Sequence, residues 1–285
     1  MKNHEKKVER FYSTGSKKRK CDYINLKQHD EGFLSFGYWN EDTKTYLDAT
    51  KNLLNFFIIN CKIKNPIRML NVACGYGTET FAHYESFKPK EIIGLDITRV
   101  HMDYANNKAK CLKLDDKIKF SYGNACVLDF PEKSFSHVVG IEGPVHFNTR
   151  RKFFQAASKV LENDGELLLT DIILGNGFNK EKMFYRAAVR LIAKWWIVPK
   201  SNCVDEDTYK KQLEEAGFRT ILLKRIGGKV FPGYARNGFT ARTLIIRLSQ
   251  RGFFAAIGLT VISWLLGWLY KKGCMDYIFI KAQKF

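Results

Sequence analysis

The sequence predicts an α/β fold in which helices cover both faces of a doubly wound, mostly parallel sheet. Short apolar runs alternate with amphipathic segments between residues 67 and 175, and this alternation is typical of strands joined by crossover helices. The first run enters a Gly-x-Gly turn at Gly75 and Gly77, and the second ends in an acid, Asp96. With 285 residues, 45% of them hydrophobic, the chain can bury a core of this kind.

The predicted elements follow in order from the N-terminus. Residues 1–30 are polar and charged, residues 31–40 are aromatic with two glycines, and residues 43–61 show the apolar spacing of a helix. The core is then predicted as strand 67–73, helix 78–87, strand 91–96, helix 98–113, strands 117–122 and 136–141, helix 148–162 and strand 165–173. Helical segments near 179–196 and 205–216, a strand at 218–226 and a last strand at 276–282 complete this order.

These elements divide the chain into four parts: an N-terminal arm with cap helices (1–62), a core (63–226), a hydrophobic helical insert (227–274) and a last strand (275–285). Within the insert, residues 252–270 carry no charge and are long enough to cross a bilayer. A crossing would leave the last strand on the wrong side of the membrane. We therefore expect a cap helix or helical hairpin over an apolar pocket, with an interfacial anchor or a true span as alternatives.

The net charge of +18 creates a field that attracts polyanions, including RNA and anionic membrane surfaces. Basic residues are spread along the chain, for example in Lys17–Lys20, between Lys108 and Lys119 and between Arg186 and Arg251. A compositional bias toward lysine would give the same charge without a partner. Charge alone therefore leaves the partner open.

The seven cysteines form no C-x-x-C pair and no zinc spacing, so we expect neither a metal site nor disulfides. The N-terminus is polar and basic, without the apolar core of a signal sequence. These features predict a cytoplasmic protein, with peripheral contact to a membrane as an alternative.

The Gly-x-Gly turn can bring backbone amides close to a ligand at the start of the following helix. It is not a dinucleotide fingerprint, because Thr80 stands where a third glycine would be needed. It is not a P-loop either, because no Gly-Lys-Ser/Thr follows. An acid at the end of the next strand, here Asp96, can accept hydrogen bonds from both ribose hydroxyls.

Residues 69–80 (MLNVACGYGTET), 123–125 (GNA) and 160–171 (VLENDGELLLTD) together resemble class I S-adenosylmethionine (SAM) methyltransferases. The resemblance covers about residues 30–226 and the last ten. It implies a Rossmann-like methyltransferase fold with a seven-stranded sheet and SAM as the cofactor. Residues 141–147 (IEGPVHF) resemble the Glu-x-x-x-His-Phe stretch of family members that methylate sterols, tocopherols, quinones, polyketides and sugars.

The resemblance assigns cofactor contacts to the carboxyl ends of the strands. The residues are Asn71, Ala73, Cys74, Gly75, Gly77, Asp96, Ile97, Asn124, Ala125, Ile141 and Glu142. Three of them depart from the family pattern: Asn71 and Asn124 replace acids, and Ala73 replaces a glycine. An amide still hydrogen-bonds the methionine end or the adenine edge, but it carries no charge.

For catalysis, the resemblance points to His146 as a general base and to Asp171 as the acid that orients it. A neutral imidazole can take a hydroxyl proton, and a carboxylate can fix its tautomer. The alternative is that His146 only hydrogen-bonds a loop and Asp171 only caps a turn.

The functional prediction is methyl transfer to a small, hydrophobic acceptor such as an isoprenoid, sterol-like, polyketide or quinone compound, by O- or C-methylation. The insert and the His146-Phe147 pair support it. An RNA methyltransferase is supported by charge alone, because no RNA-binding module is present. A membrane-associated protein that keeps the fold without catalysis is the third hypothesis, and Asn71, Ala73 and Asn124 are its support.

Overall fold

The computed structural model describes residues 3–13, 32–178 and 183–285. The helices are α1 Asn3–Ser13, α2 Tyr46–Cys61, α3 Thr78–Phe87, α4 Arg99–Cys111, α5 Arg150–Val160, α6 Met183–Trp195, α7 Glu206–Glu214, α8 Gly227–Asn237, α9 Ala241–Arg251 and α10 Phe253–Lys271. The strands are β1 Arg68–Val72, β2 Glu91–Asp96, β3 Ile118–Tyr122, β4 Phe135–Ile141, β5 Leu161–Leu174, β6 Phe218–Arg225 and β7 Met275–Lys284. The basic run Lys17–Lys20 and the start of the helix predicted from residue 179 lie outside the described residues.

The seven strands form one sheet in the order β3-β2-β1-β4-β5-β7-β6. Strands β1 to β5 are parallel, and β7 is antiparallel to both β5 and β6. The predicted doubly wound α/β fold is therefore confirmed. The strand order reverses between β1 and β4, and ligands bind at the carboxyl ends of strands beside such a reversal.

Alternate residues of β1 face different layers of the core. Met69 packs with Phe57 of α2 on one side of the sheet, whereas Leu70 packs with Phe153 of α5 on the other. Helix α2 begins at Tyr46, three residues later than predicted, because Thr45 and Asp48 form a capping box that fixes the helix start. The sequence periodicity thus predicted the layers, and the cap determined the boundary.

The insert contains three helices, α8 to α10, where the sequence predicted one cap helix or a hairpin. Helix α10 packs closely on α8: a Cβ on Gly267 would lie 2.6 Å from the Cβ of Ala235. By length and composition, Phe253–Lys271 could cross a membrane, and it is the single such helix among the described residues. However, β7 pairs with β5 along its length, so the spanning alternative, which required this strand to stay outside the sheet, is wrong.

Candidate active site

A cavity of about 520 Å³ lies at the carboxyl ends of β1, β2 and β4. Ten predicted site residues line it: Ala73, Cys74, Gly75, Asp96, Ile97, Asn124, Ala125, Ile141, Glu142 and His146. The other three, Asn71, Gly77 and Asp171, are not among its lining residues. The fold thus brings most of the dispersed motif residues to one place.

Asp96 holds the turn that follows β1. Its Oδ2 accepts a hydrogen bond from the backbone N–H of Gly75 at 3.0 Å, and its Oδ1 accepts one from Thr98 at 2.8 Å. Burial raises the pKa of this carboxyl, but the hydrogen bonds and the neighbouring His101 outweigh burial, so the pKa is held below its usual range. Asp96 is therefore a buried anion at the sheet edge, next to the Gly-x-Gly turn.

Gly77 has a conformational role, and its predicted ligand contact stays a prediction. It is the N-cap residue of α3, with φ of 82°, a region that favours glycine. A Cβ at this position would lie 2.6 Å from two ring carbons of Phe120 and away from the cavity. A large substitution at Gly77 would thus disturb the packing of β3 before it could fill a ligand site.

Asn71 is also placed differently from the prediction. It is fully buried in β1, and its Nδ2 donates a hydrogen bond to the Thr80 hydroxyl of α3 at 2.8 Å. The side chain therefore ties the strand to the helix behind the turn. Its Oδ1 is buried and has no hydrogen-bond partner among the described residues.

Asn124 lines the cavity and organises the loop after β3. Its Oδ1 accepts a hydrogen bond from the backbone N–H of Cys126 at 2.9 Å. A carbonyl oxygen has a second lone pair, so the predicted contact to an adenine amino group is compatible with this bond. Burial raises the pKa of the Cys74 thiol, which fits a packing role under the turn and not a nucleophile.

Two carboxyl groups face the cavity beside the turn. Glu142 follows β4, and its Oε1 accepts hydrogen bonds from the Phe36 N–H at 2.9 Å and the Tyr277 hydroxyl at 2.8 Å. Burial raises the pKa of Glu142 to about 8, and burial also raises that of Glu79, in the first turn of α3, to about 8. Glu79 was not among the predicted site residues, although its place two residues after Gly77 was a usable signal.

Helix α1 closes the cavity over His146. The Tyr12 hydroxyl lies 2.8 Å from Nε2 of His146, and Nε2 of His4 lies 2.9 Å from the His146 carbonyl oxygen. Burial lowers the pKa of His146 to about 4, so the imidazole is neutral at physiological pH. Its Nδ1 is buried, and a hydrogen bond between the ring and the backbone of Trp196 acts against this lowering of the pKa. The ring is thus in the protonation state that a proton acceptor requires.

Asp171 does not contact His146, contrary to the prediction. Its Oδ2 lies 2.7 Å from Nε of Arg150, and its Oδ1 accepts a hydrogen bond from Nη2 of Arg150 at 3.1 Å. The hydroxyl of Tyr209 donates a further bond to Oδ2 at 3.2 Å. Arg150 and Asp171 are both fully buried. The carboxylate is therefore occupied by a structural ion pair on the other side of β5.

Asn202 links this ion pair to the loop that carries His146. Its backbone carbonyl accepts a hydrogen bond from Nη1 of Arg150 at 2.7 Å, and its Nδ2 donates to the carbonyls of Val145 at 3.0 Å and Phe147 at 2.7 Å. The loop residues on either side of His146 are thus clamped. Asn202 lies 52 positions after Arg150, and no local pattern in the sequence indicated it.

Comparison with known proteins identifies the family of this chain. The family model described as a methyltransferase domain matches residues 63–217, more than half of the chain. This chain belongs to the methyltransferase domain family. The predicted family, enzyme class and SAM cofactor are thereby confirmed at the level of the family.

Two curated relatives illustrate the similarity in sequence. The erythromycin 3''-O-methyltransferase of Saccharopolyspora erythraea is 29% identical over 203 residues, which cover 70% of this chain and 65% of that enzyme. The sterol 24-C-methyltransferase of Debaryomyces hansenii is 25% identical over 215 residues, 72% of this chain and 55% of that enzyme. The chain thus spans less than two thirds of either relative's length.

The crystal structure of geranyl diphosphate C-methyltransferase from Streptomyces coelicolor superposes with a TM-score of 0.77 at 13% identity. The match covers 100% of this chain and 99% of that one. That crystal structure contains S-adenosyl-L-homocysteine. At this identity the comparison shows a shared fold, which extends to the N-terminal helix and the insert.

The residues of this methyltransferase domain fit SAM on physical grounds. Ala73 and Gly75 have φ of 54° and 51°. The turn that they form lets the backbone approach a ligand closely. Asp96 would hold the ribose, and Ile97 and Ala125 would provide apolar contact for the adenine. Glu79 and Glu142, which also line the cavity, would provide carboxyl groups for the cationic end of the ligand. The cofactor supplies an activated methyl group, and the protein mainly supplies alignment.

The two raised carboxyl pKa values predict that SAM affinity depends on pH. At pH 7 Glu79 and Glu142 are mostly protonated, since both pKa values are about 8, and they ionise as the pH rises through 8. A sulfonium cation binds better to the ionised form. We expect the affinity for SAM, relative to that for uncharged-sulfur S-adenosylhomocysteine, to rise about tenfold between pH 6.5 and 9.

Isothermal titration of both ligands across this range would measure the ratio. The homocysteine compound shares the amino acid and adenosine groups of SAM, so their own titration cancels. Glu142→Gln should remove a large part of the rise. A ratio that stays flat in the wild type would mean that these carboxyls do not sense the sulfonium charge.

Proposed function

We propose that this protein transfers the methyl group of SAM to a small, hydrophobic acceptor of the isoprenoid, sterol-like or polyketide kind. One observation carries the proposal: the motif residues and a group of aromatic residues from the N-terminal part, the segment after α6 and the insert line the same cavity. Asp96 and Asn124 lie at one part of its wall, and Phe36, Trp196 and Tyr234 lie at another. A cofactor and an apolar acceptor can therefore meet in one enclosed space.

The aromatic part of the wall is tightly packed. The ring of Phe36 lies 5.2 Å from that of Trp196 and 4.8 Å from that of Tyr234, measured between centroids. Ala255 and Leu259 of α10 also line the cavity, which supports the hypothesis that the insert caps an acceptor pocket. Such a wall selects acceptors by apolar contact and shape.

The proposed chemistry assigns distinct tasks to the residues of the chain. Asp96 and the turn hold the cofactor, the aromatic wall orients the acceptor, and helix α1 excludes water. The neutral imidazole of His146 takes the proton that leaves an acceptor hydroxyl or carbon as the methyl group is transferred. The named relatives include an O-methyltransferase and a C-methyltransferase, so both outcomes are compatible with the proposal.

A transfer assay tests the proposal. The protein is incubated with methyl-labelled SAM and a cell extract, which is then separated into organic-soluble, aqueous and RNA fractions. Asp96→Ala is the matched inactive control, because Asp96 lines the cavity, whereas Gly77 variants would disturb Phe120. We expect label in the organic-soluble fraction. Label in RNA would favour the hypothesis based on the +18 charge, and no labelled product would favour a non-catalytic protein.

An apolar surface on α6 and α10 supports contact with a membrane. Phe184 and Leu191 of α6 are 66% and 61% exposed, and Phe254 of α10 is 88% exposed. The helices are joined by stacked rings of Tyr185 and Trp268, 4.9 Å apart. Single exposed apolar residues are ordinary, but a contiguous group marks an interaction surface.

Charge favours an anionic membrane as the partner of this surface. Arg186, Arg190 and Lys194 are exposed on α6, at four-residue intervals that place them in one stripe beside the apolar side chains. An apolar stripe bordered by cations is the pattern of a helix that lies in the interface of an anionic bilayer. We infer that α6 and α10 rest on such a membrane, from which a lipophilic acceptor can reach the cavity past Trp195.

Vesicle sedimentation tests the membrane contact. We expect binding to vesicles containing phosphatidylglycerol and much weaker binding to pure phosphatidylcholine vesicles. Leu191→Glu combined with Phe254→Glu should weaken binding by about tenfold or more. In both substitutions a charged side chain replaces an apolar one that the bilayer would otherwise bury. Ile59→Glu on α2 is the control, since Ile59 is 71% exposed outside the proposed surface. Equal losses in both variants would rule out α6 and α10 as the contact.

A further inference from the structure

Arg247 is a buried cation in the wall of the cavity. It lies on α9 with 6% of its surface exposed and lines the cavity together with the aromatic residues. Its Nη1 donates to the Thr260 hydroxyl at 3.0 Å and to the Gly238 carbonyl at 3.3 Å, and its Nη2 donates to the Ser263 hydroxyl at 2.9 Å. The three helices of the insert therefore hold the guanidinium in a fixed position.

All of these acceptors are neutral. In the described part of the chain, Arg247 forms no ion pair with a carboxylate. The other groups that bear on it are the hydroxyls of Tyr234 and Tyr46, which are neutral because burial raises the pKa of both. Burial lowers the pKa of the guanidinium. Buried arginines are usually paired, because removing a charge from water is costly unless an anion compensates it. The charge of Arg247 is therefore balanced by no carboxylate of the described residues.

A second, smaller cavity adjoins the first at this residue. It has a volume of about 180 Å³, and Tyr46, Tyr234 and Arg247 line both cavities. Arg242 and Lys44 add two further cations to its wall, and none of its lining residues is an acid. We call this second cavity the basic chamber. Its position places positive charge at the part of the main cavity that Tyr46 and Tyr234 line.

We propose that the basic chamber binds an anionic group of the acceptor, a carboxylate or a phosphate, and that Arg247 determines this specificity. The acceptor is then an amphiphilic acid whose apolar part lies against the aromatic wall. Arg247 offers its positive charge and the N–H donors not used on Thr260, Gly238 and Ser263 to the oxygens of such a group. This inference rests on the proposed methyl transfer, and it defines the acceptor class more narrowly.

A purely structural role for Arg247 makes a different prediction. If the residue only tied α9 to α10, through Thr260 and Ser263, the cavity would not distinguish ligands by charge. Ligands that share one alkyl chain and differ in their head group therefore separate the two roles. Octyl phosphate, octanoate and 1-octanol form such a set.

The three compounds are titrated calorimetrically into the protein saturated with S-adenosylhomocysteine. We expect octyl phosphate or octanoate to bind at least about tenfold more tightly than 1-octanol, as a charge-assisted bidentate contact requires. Arg247→Gln should reduce this ratio to near one, and Arg247→Lys should retain part of it. Arg219→Gln is the charge-matched control, because Arg219 is exposed on β6 outside both cavities, and it should leave the ratio unchanged.

Three results would overturn the proposal: equal affinities of the wild type for the alcohol and the acids, an unchanged ratio in Arg247→Gln, or an equal loss in Arg219→Gln. Inorganic phosphate that binds as tightly as octyl phosphate would show a free-phosphate site and remove the acceptor assignment. The wild-type comparison needs no variant, so it holds even if Arg247→Gln fails to fold. Failure of S-adenosylhomocysteine to bind the wild type would instead refute the proposed methyl transfer.

Discussion

Asp171→Ala is expected to lower the free energy of unfolding by about 3–5 kcal/mol, since it leaves a buried arginine without its counter-charge. Arg150 and Asp171 are each fully buried, and two atom pairs join them, at 2.7 Å and 3.1 Å. Solvent cannot replace the lost carboxylate at this depth. Tyr209 would also lose the acceptor of its hydroxyl, which adds a second unsatisfied group.

Urea unfolding of the wild type and the variant measures this loss. The double variant Arg150→Met, Asp171→Leu is the matched control, because apolar side chains of similar size can replace a buried ion pair at little cost in stability. We expect the double variant to recover most of the stability that Asp171→Ala loses. If Asp171→Ala unfolded like the wild type but lost turnover, the residue would instead have the catalytic role that the sequence suggested.

The ion pair also explains why the sequence predicted the sheet better than the site. Strands and the turn at Gly75 follow from local patterns, since apolar spacing and glycine conformation are properties of neighbouring residues. The same local pattern predicts that Asp171 lies near the carboxyl edge of the sheet, toward the end of β5. Its partner Arg150 and the clamp Asn202 are distant in sequence, and they are brought together only by the packing of α5 against β5.

The insert shows a second limit of prediction from sequence. The uncharged stretch 252–270 predicted an apolar helix, and α10 occupies it. For the charged residues before it, the sequence indicates only that basic residues are spread along the chain. Arg247 is instead turned inward, because Thr260 and Ser263, seven and ten residues after the first residue of α10, accept its hydrogen bonds. The spacing of residues in the sequence does not indicate which arginine is buried, because this depends on how the helices pack.

His146→Ala is expected to lower turnover by about a hundredfold or more and to leave SAM affinity nearly unchanged. The imidazole lines the cavity and is neutral at pH 7, because burial lowers its pKa to about 4. A base of this kind becomes protonated only as the pH falls through about 4. The pH profile of turnover should therefore show no histidine inflection between pH 6 and 7.

Tyr12→Phe separates proton transfer from closure of the cavity. Phenylalanine keeps the ring that lies 5.5 Å from the His146 ring but removes the hydroxyl that lies 2.8 Å from Nε2. If His146 is the base, His146→Ala loses far more turnover than Tyr12→Phe, because the hydroxyl only orients the imidazole. If His146 only holds α1 over the cavity, the two variants lose similar activity, and single-turnover rates measured with labelled SAM decide between these outcomes.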